Sequence, residues 1–284
     1  MVFCSSFLKL QTHDLNSVMT KNAFSSYIVV ALVGLVGIII FPFHALAFQG
    51  KRDFFEIKIY HLKTPTQAQR IDQYLRDAYI PAMHRAGIRK IGVFKPVVDS
   101  VAEQLIYVLI PYTSMDQFEK IPAVLERDQQ HNTVGKDYID AVYSDPPYAR
   151  METILLRAFE GMPSFNTPKF TTPVAERVYE LRSYEGHTEK IYRNKVEMFN
   201  KGDEIGLFNR LGFNAVFYGE VLVGSKMPNL MYMTSFENRA SRDAHWKAFS
   251  ADPQWKTLSA MPEYKNNVSK NTIVFLKPTD YSEI

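Results

Sequence analysis

Two short stretches of this chain spell nearly the same word. Phe55-Glu56-Ile57-Lys58-Ile59-Tyr60 and Tyr179-Glu180-Leu181-Arg182-Ser183-Tyr184 both read aromatic, Glu, aliphatic, basic, any residue, Tyr. Their glutamates lie 180 − 56 = 124 residues apart. Each stretch alternates in character, and its aromatic and aliphatic content favours a strand. A period of two places Phe55, Ile57 and Ile59 on one face and Glu56, Lys58 and Tyr60 on the other. If these are equivalent first strands, the chain is one module used twice.

The surrounding elements repeat in the same order. After the strand Phe54–Tyr60, Thr64-Pro65 starts a helix, with Thr as cap and Pro at the first position. Ile71, Tyr74, Leu75, Ala78 and Tyr79 fall on one stripe of it. Pro81 ends or kinks this helix and Gly87 closes the segment. Strands follow at 91–94 and 104–112, then a helix over 114–128, then a strand at 151–159. The second copy has a strand at 178–184, helical segments from Thr188 and over 204–210, strands at 215–222 and 230–236, a helix over 241–251 and a strand at 272–276. Asp252-Pro253 reads as a turn after that helix. The order is β-α-β-β-α-β twice, the split βαβ of ferredoxin-like domains. Gly87 and Gly212 lie 125 residues apart, as do Leu105-Ile-Tyr107 and Leu230-Met-Tyr232. The fold class is therefore α+β, a tandem of ferredoxin-like modules over residues 48–160 and 176–284. A Pro-, Ser- and Thr-rich linker, 161–175, joins them.

Helices cover only one face of such a sheet. The apolar set Phe55, Ile57 and Ile59 is expected to meet each module's own helices. The Glu, basic and Tyr set is expected to face a shared, partly polar barrel interior. The second sheet of that barrel comes from the in-chain duplicate or from a second chain, which leaves a homodimer open.

With 46% hydrophobic and 22% charged residues the composition is that of an ordinary globular chain. A formal net charge of +3 with dispersed basic residues argues against nucleic acid as a partner. The apolar run from Tyr27 to Phe41 precedes Ala45-Leu46-Ala47, whose small residues fit a signal-peptidase site with cleavage after Ala47. Residues 1–47 are thus expected to be a signal peptide, and the mature chain periplasmic or secreted with no membrane contact. A retained N-terminal anchor is the alternative, and Met19 is an equally good start. The only cysteine is Cys4, so the mature chain has no disulfide, thiol nucleophile or thiolate metal site.

The second module resembles the NIPSNAP family of the dimeric α/β-barrel superfamily. The carrying residues are Tyr179-Glu-Leu-Arg-Ser-Tyr184, Leu211-Gly-Phe213 with Phe217-Tyr-Gly-Glu220, Pro228-Asn-Leu-Met-Tyr-Met233, and Ala244-His-Trp-Lys-Ala-Phe249 with Asp252-Pro-Gln-Trp-Lys256. The first module matches more loosely, at Phe55-Glu56, Tyr79-Ile-Pro-Ala82, Gly87-Ile88 and Gly92-Val-Phe94, and it lacks the His-Trp motif. The resemblance implies a tandem barrel, often exported in bacteria, with no settled activity. Some members of the wider superfamily bind haem, and others are cofactor-free oxygenases or isomerases.

Glu180, Arg182 and Tyr184 are the leading candidate ligand set. Arg offers a planar fork to a carboxylate, Tyr a hydroxyl, and a desolvated Glu can act as a base. The same residues also make sense as an internal Glu–Arg pair. Glu56, Lys58 and Tyr60 duplicate them. His245 is a candidate base or haem ligand, or a purely structural histidine, since no second histidine pairs with it. Trp246, Phe249 and Trp255 read as core. No G-x-S-x-G, H-E-x-x-H or Gly-rich phosphate loop occurs. The sequence leaves the catalytic residues unknown and calls for no metal and no cofactor. Its two functional readings are a module that binds a small organic ligand or a protein, and a cofactor-independent enzyme working in the barrel.

Overall fold

The computed structural model describes residues 50–97 and 104–284. The expected signal segment lies outside the described residues. Eight described strands form: β1 Phe54–Leu62, β2 Gly92–Pro96, β3 Gln104–Tyr112, β4 Arg150–Ala158, β5 Val178–Glu185, β6 Asn214–Val223, β7 Asn229–Phe236 and β8 Lys270–Pro278. They close into one antiparallel barrel in the order β1-β3-β2-β8-β5-β7-β6-β4. Each half keeps the ferredoxin-like strand order. The halves join where β2 meets β8 and β4 meets β6. The duplicate in the same chain thus supplies the second sheet.

The first half carries α1 Pro65–Gln73, a π-helical turn Tyr74–Tyr79, α2 Ile80–Arg85, α3 Met115–Arg127, α4 Gln129–Val134 and α5 Lys136–Ile139. Pro81 does not stop the first of these helices. A proline has no N–H to donate and crowds the preceding turn, and the widened π register absorbs both effects. The second half carries α6 Glu189–Asn200, α7 Glu204–Arg210, α8 Arg239–Ala251, α9 Pro253–Ala260 and a 3₁₀ turn Pro262–Tyr264. Asp252-Pro253, expected as a turn, instead starts α9. The Asp252 carboxylate accepts from Gln254 N–H at 2.8 Å and Pro253 occupies the first helical position.

Gly87 and Gly212 do equivalent work. At φ +84° and +76° they end α2 and α7 in the left-handed conformation. The following residues, Ile88 and Phe213, donate back to Met83 and Phe208 carbonyls at 2.9 and 3.0 Å.

The two faces of β1 and β5 are the reverse of the expectation. Phe55, Ile57, Tyr179 and Leu181 pack inside the barrel with Phe94, Leu156, Phe217 and Leu276. Tyr60 packs beneath the helices of the first half, and Tyr184 beneath those of the second. Alternation fixes which residues share a face but not which face is inward. In the second half α8 settles it, because it brings the side-chain donors Arg242 and Trp246 to the buried Glu180 carboxylate. Strand pairing also corrects the repeat. Ile59 lies opposite Tyr107, and Ser183 opposite Met231. Tyr107 therefore corresponds to Met231, 124 residues on, and not to Tyr232. Tyr107 points into the barrel and Tyr232 toward the helices.

Candidate functional site

Glu180, near the middle of β5, is fully buried and is the hub of a charged knot. Arg182 Nε donates to its Oε1 at 2.6 Å, and Arg182 Nη2 lies at the same distance. Arg242 on α8 donates through Nε at 2.7 Å and through Nη2 at 3.0 Å. Trp246, one turn further along α8, donates its indole N–H at 2.9 Å. Burial raises the Glu180 pKa, but the hydrogen bond from Arg242 and the charge and bonds of Arg182 outweigh it and hold the carboxyl below its ordinary value. Glu180 is an anchored anion whose two carboxylate oxygens are both occupied by donors.

Arg182 is the end of the knot that faces open space. Its guanidinium stacks over Trp246, with Cζ 3.7 Å from the ring centroid. Its Nη1 donates to the Tyr184 hydroxyl at 3.0 Å, and that hydroxyl meets Tyr232 Oη at 2.9 Å. An arginine carries five N–H donors. Glu180 and Tyr184 take three of them, and among the described residues no other side chain or carbonyl accepts from the guanidinium. Arg182 and Tyr184 open onto a cleft of about 410 Å³ between the sheet and α6 to α9. Its far walls include Trp255, Tyr264 and Asn267. Lys195 and Glu204 form a buried pair at its floor, 2.8 Å apart. Arg182, Arg239 and Arg242 face the carboxylates Glu180 and Asp243 in one linked group, which leaves one positive charge in surplus.

The first half has the same strand residues and a filled space in front of them. Glu56 accepts from the Tyr112 hydroxyl at 2.8 Å and pairs with Lys58 Nζ at 2.9 Å. The Tyr60 hydroxyl meets that of Tyr138 at 3.4 Å. Tyr138 stacks on Tyr74 with centroids 3.7 Å apart, and Tyr148 packs against Tyr60. Tyrosines occupy the volume that the second half leaves open. Burial and the neighbouring Tyr138 push the Tyr60 hydroxyl pKa well up.

His245 stands apart from the knot. It lines a separate recess with Gly212 and Ser241, and its Nδ1 lies 2.7 Å from the Ser241 carbonyl. The ring packs on Phe213 and Phe236. Adjacent helical residues point about 100° apart, so Trp246 reaches Glu180 while His245 does not. Arg242, Lys195, Glu204, Trp255 and Tyr264 were not candidates from sequence. Arg242, Trp246 and Phe249 share one helical stripe, and that spacing was available to find Arg242. A lysine at the middle position of the Tyr192, Lys195, Phe199 stripe was the corresponding signal for Lys195. Among the described residues no group of three or more His, Cys, Asp or Glu is placed to hold a metal.

The NIPSNAP family model matches residues 179–283, which span β5 to β8 and the whole cleft. No curated protein matches the chain. A Fusobacterium nucleatum structure whose name proposes a monooxygenase is 9% identical and aligns over 81% of this chain and 93% of its own, with a TM-score of 0.55. A Lactobacillus acidophilus structure, likewise named, is 11% identical over 80% and 94%, with a TM-score of 0.53. At these identities the likeness shows the shared fold. A Burkholderia xenovorans NIPSNAP domain protein is 17% identical over 36% of this chain and 95% of its own, with a TM-score of 0.32.

Proposed function

We propose that this chain, which belongs to the NIPSNAP family through residues 179–283, binds a small organic anion in the cleft between the second sheet and its helices. The observation that carries the reading is Arg182. It is fixed by Glu180, stacked on Trp246, and lines a 410 Å³ cleft with N–H groups that no other described residue accepts from. A rigid guanidinium with free donors suits a carboxylate or similar planar anion. The aromatic walls suit an organic body behind that anion. The site is the helix-side cleft and not the barrel interior, which side chains largely fill. With both Glu180 oxygens engaged by Arg182, Arg242 and Trp246, the knot has the chemistry of a binding site.

The chain has two tryptophans, Trp246 and Trp255, and both line the cleft. Intrinsic fluorescence therefore reports on it directly. Small aromatic and aliphatic carboxylates are titrated against their neutral amides. The carboxylates are expected to give saturable changes, with the amides about tenfold or more weaker. Arg182→Gln is expected to weaken the carboxylates by a similar factor, the worth of one charge-assisted hydrogen bond. Equal affinity of acid and amide, or an unchanged affinity in folded Arg182→Gln protein, overturns the reading.

A further inference from the structure

The barrel interior is packed unevenly. At one end Phe55 stacks against Phe217 and Phe94 against Tyr179, with centroids 5.0 and 4.8 Å apart, and Phe170 covers Tyr179 from outside. At the other end a cavity of about 60 Å³ remains. It is lined by the apolar Ile59, Leu181 and Met231 and by the polar Ser183, Asn229 and Thr272.

The duplication explains the hollow. Equivalent inward positions can be read from the strand pairing. Ile59 in the first half becomes Ser183 in the second, and Tyr107 becomes Met231. Leu105 becomes Asn229, and Ile154 becomes Val274. Each change makes the second half smaller or more polar at this end. Ser183 and Asn229 are 6% and 3% exposed, so two neutral polar groups stand where the first half is aliphatic. They satisfy each other only in part. The Ser183 hydroxyl donates to Asn229 Oδ1 at 3.1 Å, and Asn229 Nδ2 lies 2.9 Å from Ser183 Oγ. Among the described residues no acceptor faces the second N–H of the Asn229 amide. Burying such groups costs stability unless something completes their bonding.

We infer that this end of the barrel is a second ligand site, which takes a short unbranched alkyl chain with an uncharged hydroxyl head. The chain lies on Ile59, Leu181, Met231 and Val274, and the hydroxyl bonds to the Ser183–Asn229 pair. The dimensions select the shape. An apolar cavity near 150 Å³ accepts benzene, so about 60 Å³ suits a thin chain of a few carbons better than a ring. The charges select the head. Glu152 at the rim is already held by His61 at 2.9 Å and Arg150 at 2.7 Å, and Lys226 is exposed to water. The buried groups that a ligand meets are neutral. This site is separate from the Arg182 cleft, because the two lie on opposite faces of β5.

Met231 lines the cavity, so its methyl group is the reporter. Protein labelled with methyl-¹³C methionine is titrated with 1-butanol, butyrate and benzene, and the Met231 signal is assigned by Met231→Leu. 1-Butanol is expected to shift it saturably, with butyrate and benzene at least fivefold weaker. Ser183→Ile restores the first-half residue, fills the hollow and is expected to abolish the response. Ser183→Ala keeps the space and removes the hydroxyl, and is expected to weaken 1-butanol about fivefold, the worth of one hydrogen bond. The inference fails if wild-type protein shows no saturable Met231 shift. It also fails if butyrate or benzene binds as tightly as 1-butanol, or if Ser183→Ala protein binds 1-butanol undiminished.

Discussion

Replacing Glu180 by Gln removes one charge and leaves two arginines without it. The side chains of Arg182 and Arg242 are only 11% and 15% exposed, so water screens little of the loss. The amide also presents an NH₂ group where one carboxylate oxygen accepted. That oxygen was taken either by Arg182 and Arg242 or by Arg242 and Trp246. Breaking a buried pair on one side costs about 3–5 kcal/mol. At the lower figure, and at about 2–4 °C per kcal/mol for a unit of this size, Tm falls by about 6–12 °C. The duplicated module provides the control. Glu56→Gln keeps an acceptor for Tyr112 and leaves one cation, Lys58 on its flexible stem, in place of two arginines. Its cost is about 1 kcal/mol. Acidity adds a second readout. A carboxyl held below its ordinary value contributes stability that is complete above that value and is lost as pH falls through the depressed one. The Tm gap between wild type and Glu180→Gln is therefore expected to be widest at neutral pH and to shrink in acid. Thermal unfolding followed by circular dichroism from pH 7 downward measures both effects. Glu180→Gln and Glu56→Gln melting within 2 °C of each other, or a gap that does not shrink in acid, refutes the assignment of Glu180 as an anchored anion.

Lys195 and Glu204 are both buried and pair at 2.8 Å, so Lys195→Met or Glu204→Gln alone is expected to cost about 3 kcal/mol. The double variant is expected to cost clearly less than the two singles together, as urea unfolding of the full cycle will show, and strict additivity would refute the pairing. At the surface, hydrogen bonds from the Thr172 hydroxyl and then from the Thr171 and Thr172 N–H groups hold the Glu237 carboxyl at about 2. This clamp on residues 171–172 is expected to survive to below pH 3 and to be lost as pH falls through about 2. Carboxyl NMR titration measures it directly, and a midpoint near 4.5 would count against the clamp.

Much of the barrel was legible because strands and helices here obey local rules. Period-two alternation marked β1 and β5, and caps such as Thr64 and Ser114 marked helix starts. The reversed face was not legible, because Glu180 and Leu181 alternate equally well with either side inward. Arg242 settles the direction, and it lies 62 residues away in sequence. The one-residue slip between Tyr107 and Tyr232 has a similar cause. Two Leu-x-Tyr triplets look alike as letters, yet their tyrosines point to opposite faces. Of the candidate cleft and its knot, Glu180, Arg182 and Tyr184 stood out in the sequence by their repetition. Lys195 and Glu204 were missed because each looks like an ordinary surface charge until a partner from a different helix is placed beside it. His245 was chosen for its chemistry, but the turn of α8 gives the site to Trp246.

A ring closed by two identical chains writes every substitution twice, once on each side. Here both halves lie on one polypeptide, with β2 sealed by β8 and β4 by β6. A change in one half therefore leaves its twin untouched. That independence is visible around the barrel. One half has spent its space on a stack of tyrosines and an aliphatic wall, while the other has kept a cleft beside an arginine and traded an isoleucine for a serine. Covalent linkage gave this fold a division of labour that a symmetric pair of chains is denied.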